Sequence, residues 1–533
     1  MTAYLSHENL PAVDDPASST LIASMNKPSA FGHPLRYVKL VETHISWILL
    51  TGDYAYKIKK PVDFGFLDFS TLQKRRHFCE EELRLNRRFA PQIYLDVVAI
   101  CGSETAPQIN GQGDVIEYAV KMLEFPQQCL LSKYAANQQL NPKIIDAIAD
   151  RVSEIHSSSA RAEADSDYGS AAEAAHWSHE NLVHIASAIP AEYLPNSYFE
   201  LKRWYRENSQ LLEAIDARKS DGFVRECHGD LHLGNMAMID DRVTLFDCIE
   251  FNPELRWIDT ISEVAFVAMD LQARGYAGFC WRFLNRYFAG SGDYAAVSLL
   301  RYYFVYRALV RAKVEALRVD QESCEPDGYP EFIAPAIEYI DLASRWAASH
   351  RAGLIIMHGL SGSGKSTVAA QLVEALGAIQ IRSDVERKRL FDLAPSDDSA
   401  SALDHGIYTA QATAATYQRL REIAAGIMAA DFTVIVDATL LQESQRRPLL
   451  ELESAHPCKR IIIDCVAPEA ELRKRIIERE NDPSEANLEV LQQQLRTRQP
   501  ISQQERDIAA VVSVGSAGLD PAKIDEIRGL LIS

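Results

Sequence analysis

Eight residues, Gly359-Leu-Ser-Gly-Ser-Gly-Lys365-Ser366, constrain this chain more than any other stretch. They fit G-x-x-x-x-G-K-[ST], after an apolar run at 354–357 and before the helical stretch "STVAAQLVEAL". That context is what the motif requires. Glycines let successive N–H groups turn toward a polyphosphate, and the helix that follows points its positive end there. Gly359, Ser361, Gly362, Ser363, Gly364, Lys365, Ser366 and Thr367 are therefore expected around a nucleotide. Lys365 would reach the β- and γ-phosphates, and the Ser366 hydroxyl would meet Mg²⁺. Apolar runs at 354–357, 378–382, 433–437, 460–466 and 511–514 alternate with helical stretches. Such alternation predicts a parallel sheet with helices on both faces.

Other charged residues of this part suit phosphoryl transfer. Asp384 and Arg387, in "IRSDVERKRL", follow the second strand, where a carboxylate could take an acceptor's proton while an arginine holds the substrate. Their i,i+3 spacing would equally suit a surface ion pair. Asp437 ends the strand of "TVIVDAT", a position for a Mg²⁺-water ligand or an acceptor contact. Arg473, Arg475 and Arg479 lie on a helical run that could be a lid over the phosphate or a solvated basic face.

The chain has 533 residues, too many for one ordinary core, so two or three domains are expected. Residues 1–35, rich in Pro, Ser and Ala without periodicity, predict a loosely ordered leader. A boundary near 345–352, in "RWAASHRAG", divides 36–348 from 349–533. No basic-then-apolar opening, no apolar run long enough to cross a bilayer, and nine scattered cysteines without a CxxC pair point to a cytoplasmic chain with reduced thiols. The net charge is −19, of which 350–533 carry −5 (21 basic, 26 acidic residues) and 1–349 carry −14. An acidic first part tolerates a cationic substrate and disfavours a polyanion, although surplus acid also serves solubility.

Within 36–348, "YVKLVETHISWILLTGDYAYKIKKPV" reads as strands bent around Thr51-Gly52-Asp53. A helix through "KRRHFCEEELRLNRRF" and further strands near "IYLDVVAI" and "DVIEYAVKML" complete a small mixed lobe. After Pro126 the pattern is helical, with Asn141 as a cap and Pro142 in the first turn of one helix. One opening interrupts it: "CHGDLHLGNMAMIDDRVTLFDCIEF", 227–251. A kinase-type loop needs a carboxylate beside the attacking hydroxyl and an amide five residues on for Mg²⁺, then a strand-end carboxylate. Asp230, Asn235 and Asp247 have that spacing.

This loop resembles H-G-D-x-H-x-G-N of the aminoglycoside phosphotransferase and choline-kinase-like group. The resemblance implies an α+β, bilobal, kinase-like domain with Asp230 as base, Asn235 and Asp247 as metal ligands, and His228 supporting the loop. It also implies that Asp259 braces the loop and that a lysine of "YAYKIKK" contacts the α- and β-phosphates. Lys57 is preferred, Lys59 shares its face, and Glu81 or Glu82 would be the partner carboxylate. Adenine would lie against 118–123. Leu233 replaces the usual Pro, and no G-x-G-x-x-G precedes the lysine strand, so Ser46 is a candidate to help cover the phosphates. "GLSGSGKST", "RSDVERKR" and "VIVDATLL" resemble small-substrate P-loop kinases, with D-x-x-R most like polynucleotide kinases and zeta toxins. The whole order resembles bacterial bifunctional aminoglycoside phosphotransferase-like/P-loop ATP-binding proteins.

The leading expectation is an ATP-dependent phosphotransferase, with GTP as an alternative nucleotide, Mg²⁺ as the metal and small hydroxyl compounds as acceptors. A second reading makes one domain a nucleotide-sensing regulator of low catalytic power. A third, a nucleic-acid end kinase, is disfavoured by the −5 balance and the lack of a basic stripe.

Overall fold

The computed structural model describes residues 16–65, 67–321, 329–348, 352–395, 397, 399, 406–453, 458–478, 484–515 and 518–532. Contacts divide them into two compact units. The first gathers the described residues up to Ala147, with Glu154–Asp270 and Tyr303–Ser344. The second gathers Ile148–Ser153, Leu271–Tyr302 and the described residues from Arg345 onward. The first unit is the α+β kinase-like fold and the second the α/β P-loop fold.

The first unit is built on an antiparallel sheet of β1 (Lys39–Glu42), β2 (Ser46–Leu50), β3 (Tyr54–Lys59), β4 (Tyr94–Ser103), β5 (Ala106–Ile109) and β6 (Val115–Leu123), in the order β1-β2-β3-β6-β4-β5. The leader expected to be loose is partly ordered: helix α1 (Pro16–Met25) precedes the sheet. Its Leu21, Ile22 and Met25, with Ala30 and Phe31, pack on Leu49, Tyr56 and Ile58, because that sheet face is apolar and must be covered. Residues 1–15 lie outside the described ones. Helix α2 (Leu72–Asn86) is started by Thr71, whose side chain accepts the Lys74 N–H. Its Cys79 faces the other side of the sheet, in a cluster with Tyr94 and Val120.

Residues 118–123, expected to border the adenine as the connector between lobes, are the body of β6 instead. Their backbone is committed to β3 on one side and β4 on the other, so the connector begins at Glu124. The helical part follows. Asn141 caps the helix Pro142–Ser158 by accepting from the Lys143 and Ile144 N–H groups, as its sequence predicts. The 227–251 stretch lies between short strands: β7 (Val224–Glu226), β8 (Met236–Ile239), β9 (Arg242–Leu245) and β10 (Trp257–Asp259). β8 pairs with β9, and β7 with β10.

The second unit holds a parallel sheet of β11 (Gly353–His358), β12 (Ile379–Arg382), β13 (Val434–Asp437), β14 (Lys459–Cys465) and β15 (Ala510–Val514), in the order β12-β13-β11-β14-β15. The helix Lys365–Leu376 packs Val368, Ala369 and Leu372 on Ile355, Met357 and Ile463. The helix Ala277–Ser291 joins this unit through Asn285, which donates to the Ala378 carbonyl and accepts from the Gln380 N–H. Among the described residues, no helix is long and apolar enough to cross a membrane.

Candidate functional site

The strand period of two puts Lys57 and Lys59 on one face of β3. Both are buried, and both meet Glu82 of α2: Lys57 donates to Oε1 at 2.8 Å and Lys59 to Oε2 at 2.7 Å. Lys57 also donates to Asp247 Oδ1 at 2.6 Å, and Lys59 to Glu250. Glu81 turns instead to Arg84, at 2.9 Å. Burial by itself would pull the Lys57 amine down, but Asp247 and then Glu82 outweigh it and hold it well above its ordinary value. The same two lysines keep the buried Glu82 carboxyl low against burial. Glu250 is pushed up by burial, with the nearby Glu82 adding to it, and Lys59 and Lys57 offset this only in part.

Asp247 stands at a φ of 66°, in the left-handed region that Asp tolerates better than most residues. Its N–H donates to the Tyr94 hydroxyl at 3.0 Å, and the next N–H, of Cys248, donates to Asn86 Oδ1 at 2.9 Å. Asn86 and Tyr94 thus fix the carboxylate's backbone, and neither was singled out by sequence. Asn235 donates through Nδ2 to the Asp230 carbonyl at 2.9 Å and to its carboxylate at 3.0 Å. Its own Oδ1 is buried without a partner. An unpartnered amide oxygen beside a carboxylate suits a hard cation.

The loop is held from beneath. Glu263 Oε1 accepts the His228 and Gly229 N–H groups, both at 2.7 Å, while Oε2 meets His156 Nε2 at 2.9 Å. Arg307 donates to the Gly229 carbonyl at 3.0 Å, and Asp270 accepts the Leu233 N–H at 2.9 Å. His228 lies 2.8 Å from the Phe246 carbonyl, and burial pushes its imidazole down to about 4. Asp259 pairs with Arg218 at 2.7 and 2.9 Å, and accepts the Ile261 N–H. The carboxylate that receives the loop amides is Glu263, one helical turn beyond Asp259. Ser46 is buried in β2 with an unpartnered hydroxyl, its N–H donating to Thr43 across the β1–β2 turn.

In the second unit Gly359, Gly362 and Gly364 have φ of 140°, 82° and 93°. A Cβ on Gly359 would stand 2.5 Å from the Cys465 carbonyl oxygen, so the turn needs glycine there. Lys365 donates to the Leu360 carbonyl at 2.9 Å. Ser366 is half-buried and Thr367 exposed. Ser361 meets Gln494 twice: its N–H donates to Oε1 at 2.9 Å, and its Oγ accepts from Nε2 at 3.0 Å. Arg475, on the helix Glu469–Ile477, donates to the Gly362 carbonyl at 3.3 Å, whereas Arg473 pairs with Glu469 on the surface. Arg479 lies outside the described residues.

Asp384 is half-buried near the start of the helix Ser383–Arg389. Arg387 turns away from it, donating to the Ile407 carbonyl and Thr413 Oγ1 at 2.9 and 3.1 Å, with its Nε buried and unpartnered. The surface pair that their spacing allowed does not form among the described residues. Asp437 accepts from Gln380 at 2.9 Å, with Arg382 at 3.6 Å.

These two sites and folds define a kinase-like phosphotransferase domain followed by a P-loop kinase-like domain. Family comparisons agree: the phosphotransferase enzyme family matches residues 67–300, and the AAA domain matches 354–501. The chain belongs to one family with the uncharacterized proteins of Mycobacterium tuberculosis and Mycobacterium bovis to which it is 30% identical over 470 residues, 87% of this chain and 91% of theirs. Among solved structures, it is similar to the amicoumacin kinase hAmiN in complex with AMP-PNP, Ca2+ and Ami (13% identical, TM-score 0.40, covering 62% of this chain and 93% of that one). It is also similar to a gluconokinase from Sinorhizobium meliloti 1021 (23%, TM-score 0.24, 34% and 90%).

Proposed function

We propose that the chain is an ATP-dependent phosphotransferase with two nucleotide sites, each moving a γ-phosphate to the hydroxyl of a small molecule. In the first unit Asp230 would take the acceptor's proton, Lys57, oriented by Glu82, would meet the α- and β-phosphates, and Asn235 and Asp247 would hold Mg²⁺. In the second, Lys365 and the Gly359–Thr367 amides would cradle the phosphates, with Ser366 and Asp437 on the metal side. Asp384 and Arg387 would serve the acceptor. Mg²⁺, when bound, neutralises charge on the transferring group. The observation that carries the reading is the buried, unpartnered Oδ1 of Asn235 beside the Asp230 carboxylate, because a structural amide would have both ends satisfied.

The test is turnover of ATP and GTP by wild type, Asp230→Ala and Lys365→Ala, first without acceptor and then with a pooled metabolite extract. Turnover that needs the extract and is lost in one variant supports a metabolite kinase and assigns it to a unit. Turnover that ignores the extract and vanishes only in Lys365→Ala makes the first unit a regulator and defeats the two-kinase reading.

A further inference from the structure

The acceptor side of the second unit carries a buried cation with one hydrogen-bonding edge unpaired. Arg387 is only 7% exposed, on the helix Ser383–Arg389 that begins where β12 ends. Its Nη1 is fully committed, donating to the Ile407 carbonyl at 2.9 Å and to Thr413 Oγ1 at 3.1 Å. The guanidinium carbon lies over the Tyr408 ring, 5.2 Å from its centroid. These three contacts fix the plane of the group. Nε is buried without a partner, and Nη2 makes no hydrogen bond among the described residues. Nε–H and one Nη2–H point along the same edge, so together they form a preset two-pronged donor. A guanidinium stays charged in proteins, and a buried edge of this kind calls for an anion.

The edge stands where an open α/β sheet takes ligands, outside the carboxyl ends of the strands. β12 ends at Arg382 and β13 at Asp437. Thr439, two residues on, accepts the Gly359 N–H at 3.2 Å, which ties this side to the glycine turn. Asp384 is half-buried, one turn before Arg387. Burial, and then the charges of Asp384 and Glu485, hold the Tyr408 hydroxyl above its ordinary value, so Asp384 and Arg387 share the surroundings of Tyr408. Glu485 has Lys388 at 3.1 Å, and Asp437 has Gln380 at 2.9 Å and Arg382 at 3.6 Å. Among the described residues, that leaves one positive charge at the edge, on Arg387, and one negative charge, on Asp384.

The bound group must therefore offer two coplanar oxygens and a single negative charge. A carboxylate does both. A phosphomonoester dianion would bring a second charge with no cation to meet it, beside a carboxylate that repels it. We propose that the Nε–Nη2 edge of Arg387 holds the carboxylate of a small hydroxy acid, the acceptor of the second unit. This rests on the phosphotransfer reading of that unit and adds the class of its acceptor. Cβ atoms three residues apart on a helix are about 5–6 Å apart, so a hydroxyl a few carbons from the carboxylate reaches Asp384. The hydroxyl oxygen forms the new bond to the γ-phosphorus, and the bond from that phosphorus to the bridging oxygen breaks. ADP leaves with the electron pair, and Asp384 takes the hydroxyl proton.

The test uses full chains carrying Asp230→Ala, so that ATP turnover reports the second unit. An ultrafiltered metabolite extract is treated with alkaline phosphatase, freed of the enzyme and split on an anion-exchange column. Turnover is expected to follow the retained fraction and to survive the phosphatase treatment. Arg387→Lys, which keeps the charge and loses the fork, should raise the half-saturating amount of that fraction about tenfold or more, with the KM for ATP unmoved. Thr413→Val keeps the arginine and removes one contact that fixes it; a smaller rise in the same quantity is expected, free of any folding defect in Arg387→Lys. Activity in the unretained fraction means a neutral or cationic acceptor, and activity destroyed by phosphatase means a phosphate ester; either overturns the proposal. So does an unchanged half-saturating amount in both variants. Turnover that ignores the whole, untreated extract defeats the phosphotransfer reading of this unit, and the proposal falls with it.

Discussion

Lys59 donates to Glu82 at 2.7 Å, on the carboxylate oxygen that Lys57 does not use. Lys57, Lys59, Glu82, Asp247 and Glu250 thereby form one chain of buried charge reaching from α2 to the loop that follows β9. Only Lys57 spans to Asp247, so the two lysines, equivalent by strand alternation, have separate work. Removing one partner of a buried pair costs about 3–5 kcal/mol, while replacing both by apolar groups is often nearly neutral. Lys59→Met should therefore lower the urea midpoint markedly, and Lys59→Met/Glu250→Leu should recover much of the loss. Lys57→Met should instead abolish turnover assigned to the first unit. If the double variant is no more stable than Lys59→Met, the charge network is not what holds α2.

Asn235 offers Nδ2 to Asp230 and keeps Oδ1 unpartnered, which ties metal affinity to one atom. Asn235→Ala should raise the Mg²⁺ concentration needed for half-maximal turnover by about tenfold or more, equivalent to about 1.4 kcal/mol. Asp230→Asn should lower the maximal rate with little change in the Mg²⁺ requirement. Mg²⁺ titrations of both variants check this, and an unchanged Mg²⁺ requirement in Asn235→Ala would remove Asn235 from the metal site.

Much of this was legible in sequence because the chemistry sits in short, local spacings. The Gly359–Ser366 turn and the Asp230–Asn235 interval each lie within one loop, and the parallel strands of the second unit are continuous apolar runs. What sequence could not supply was pairing across distance. Glu82 rather than Glu81 meets the lysines because of how α2 is rotated against β3, a tertiary fact that adjacent glutamates hide. The brace was read four residues early: Asp259 ends β10 and Glu263 lies in the first turn of the helix Thr260–Ala273, and only the fold shows which reaches the 228–229 amides. The signal for His156, Asn86 and Tyr94 was absent altogether, since a lone polar residue on an apolar face looks like any satisfied core residue. The helical leader 16–25 was missed because its packing, rather than its composition, makes it ordered.

Glu263 takes two backbone N–H groups and a histidine, so its removal would orphan donors in a buried loop. Glu263→Gln should cost about 1–3 kcal/mol and loosen the loop, seen as faster hydrogen exchange across 227–235. Asp259→Asn should destabilise the Arg218 contact while leaving exchange in that loop nearly unchanged. Equal exchange in both variants would deny Glu263 the bracing role.

Burial holds the His228 imidazole down to about 4, against 6.5 for the free side chain. The folded chain then binds fewer protons than the unfolded chain between those values. The stabilisation is complete above pH 6.5 and is lost as pH falls toward 4. His232, pushed down by burial as well, acts in the same direction. His228 alone should remove about 2 kcal/mol of unfolding free energy between pH 7 and pH 5. Urea midpoints of wild type and His228→Asn at the two pH values check it: the variant should be less stable at pH 7 but show the shallower fall. A wild-type midpoint independent of pH over that interval would contradict a neutral buried imidazole.

Arg475 pairs with Glu471 and also reaches the Gly362 carbonyl from the helix Glu469–Ile477, while Arg473, two residues earlier, pairs with Glu469 at the surface. A helix turns about 200° in two residues, so only one of the two can face the glycine turn. Arg475 is thus the cation that can meet a charged group held by the Gly359–Ser366 amides, and Arg473 serves as the control on the same helix. Arg475→Ala should weaken nucleotide affinity of the second unit about tenfold, with the larger loss for triphosphate over diphosphate if the guanidinium reads the terminal phosphate. Arg473→Ala should change neither. Titrations of ATP and ADP into Asp230→Ala chains carrying each substitution make the comparison with the first unit's chemistry disabled. Equal losses from the two arginines would mean the helix contributes general positive charge and no specific contact, and the lid role expected of Arg475 would fall.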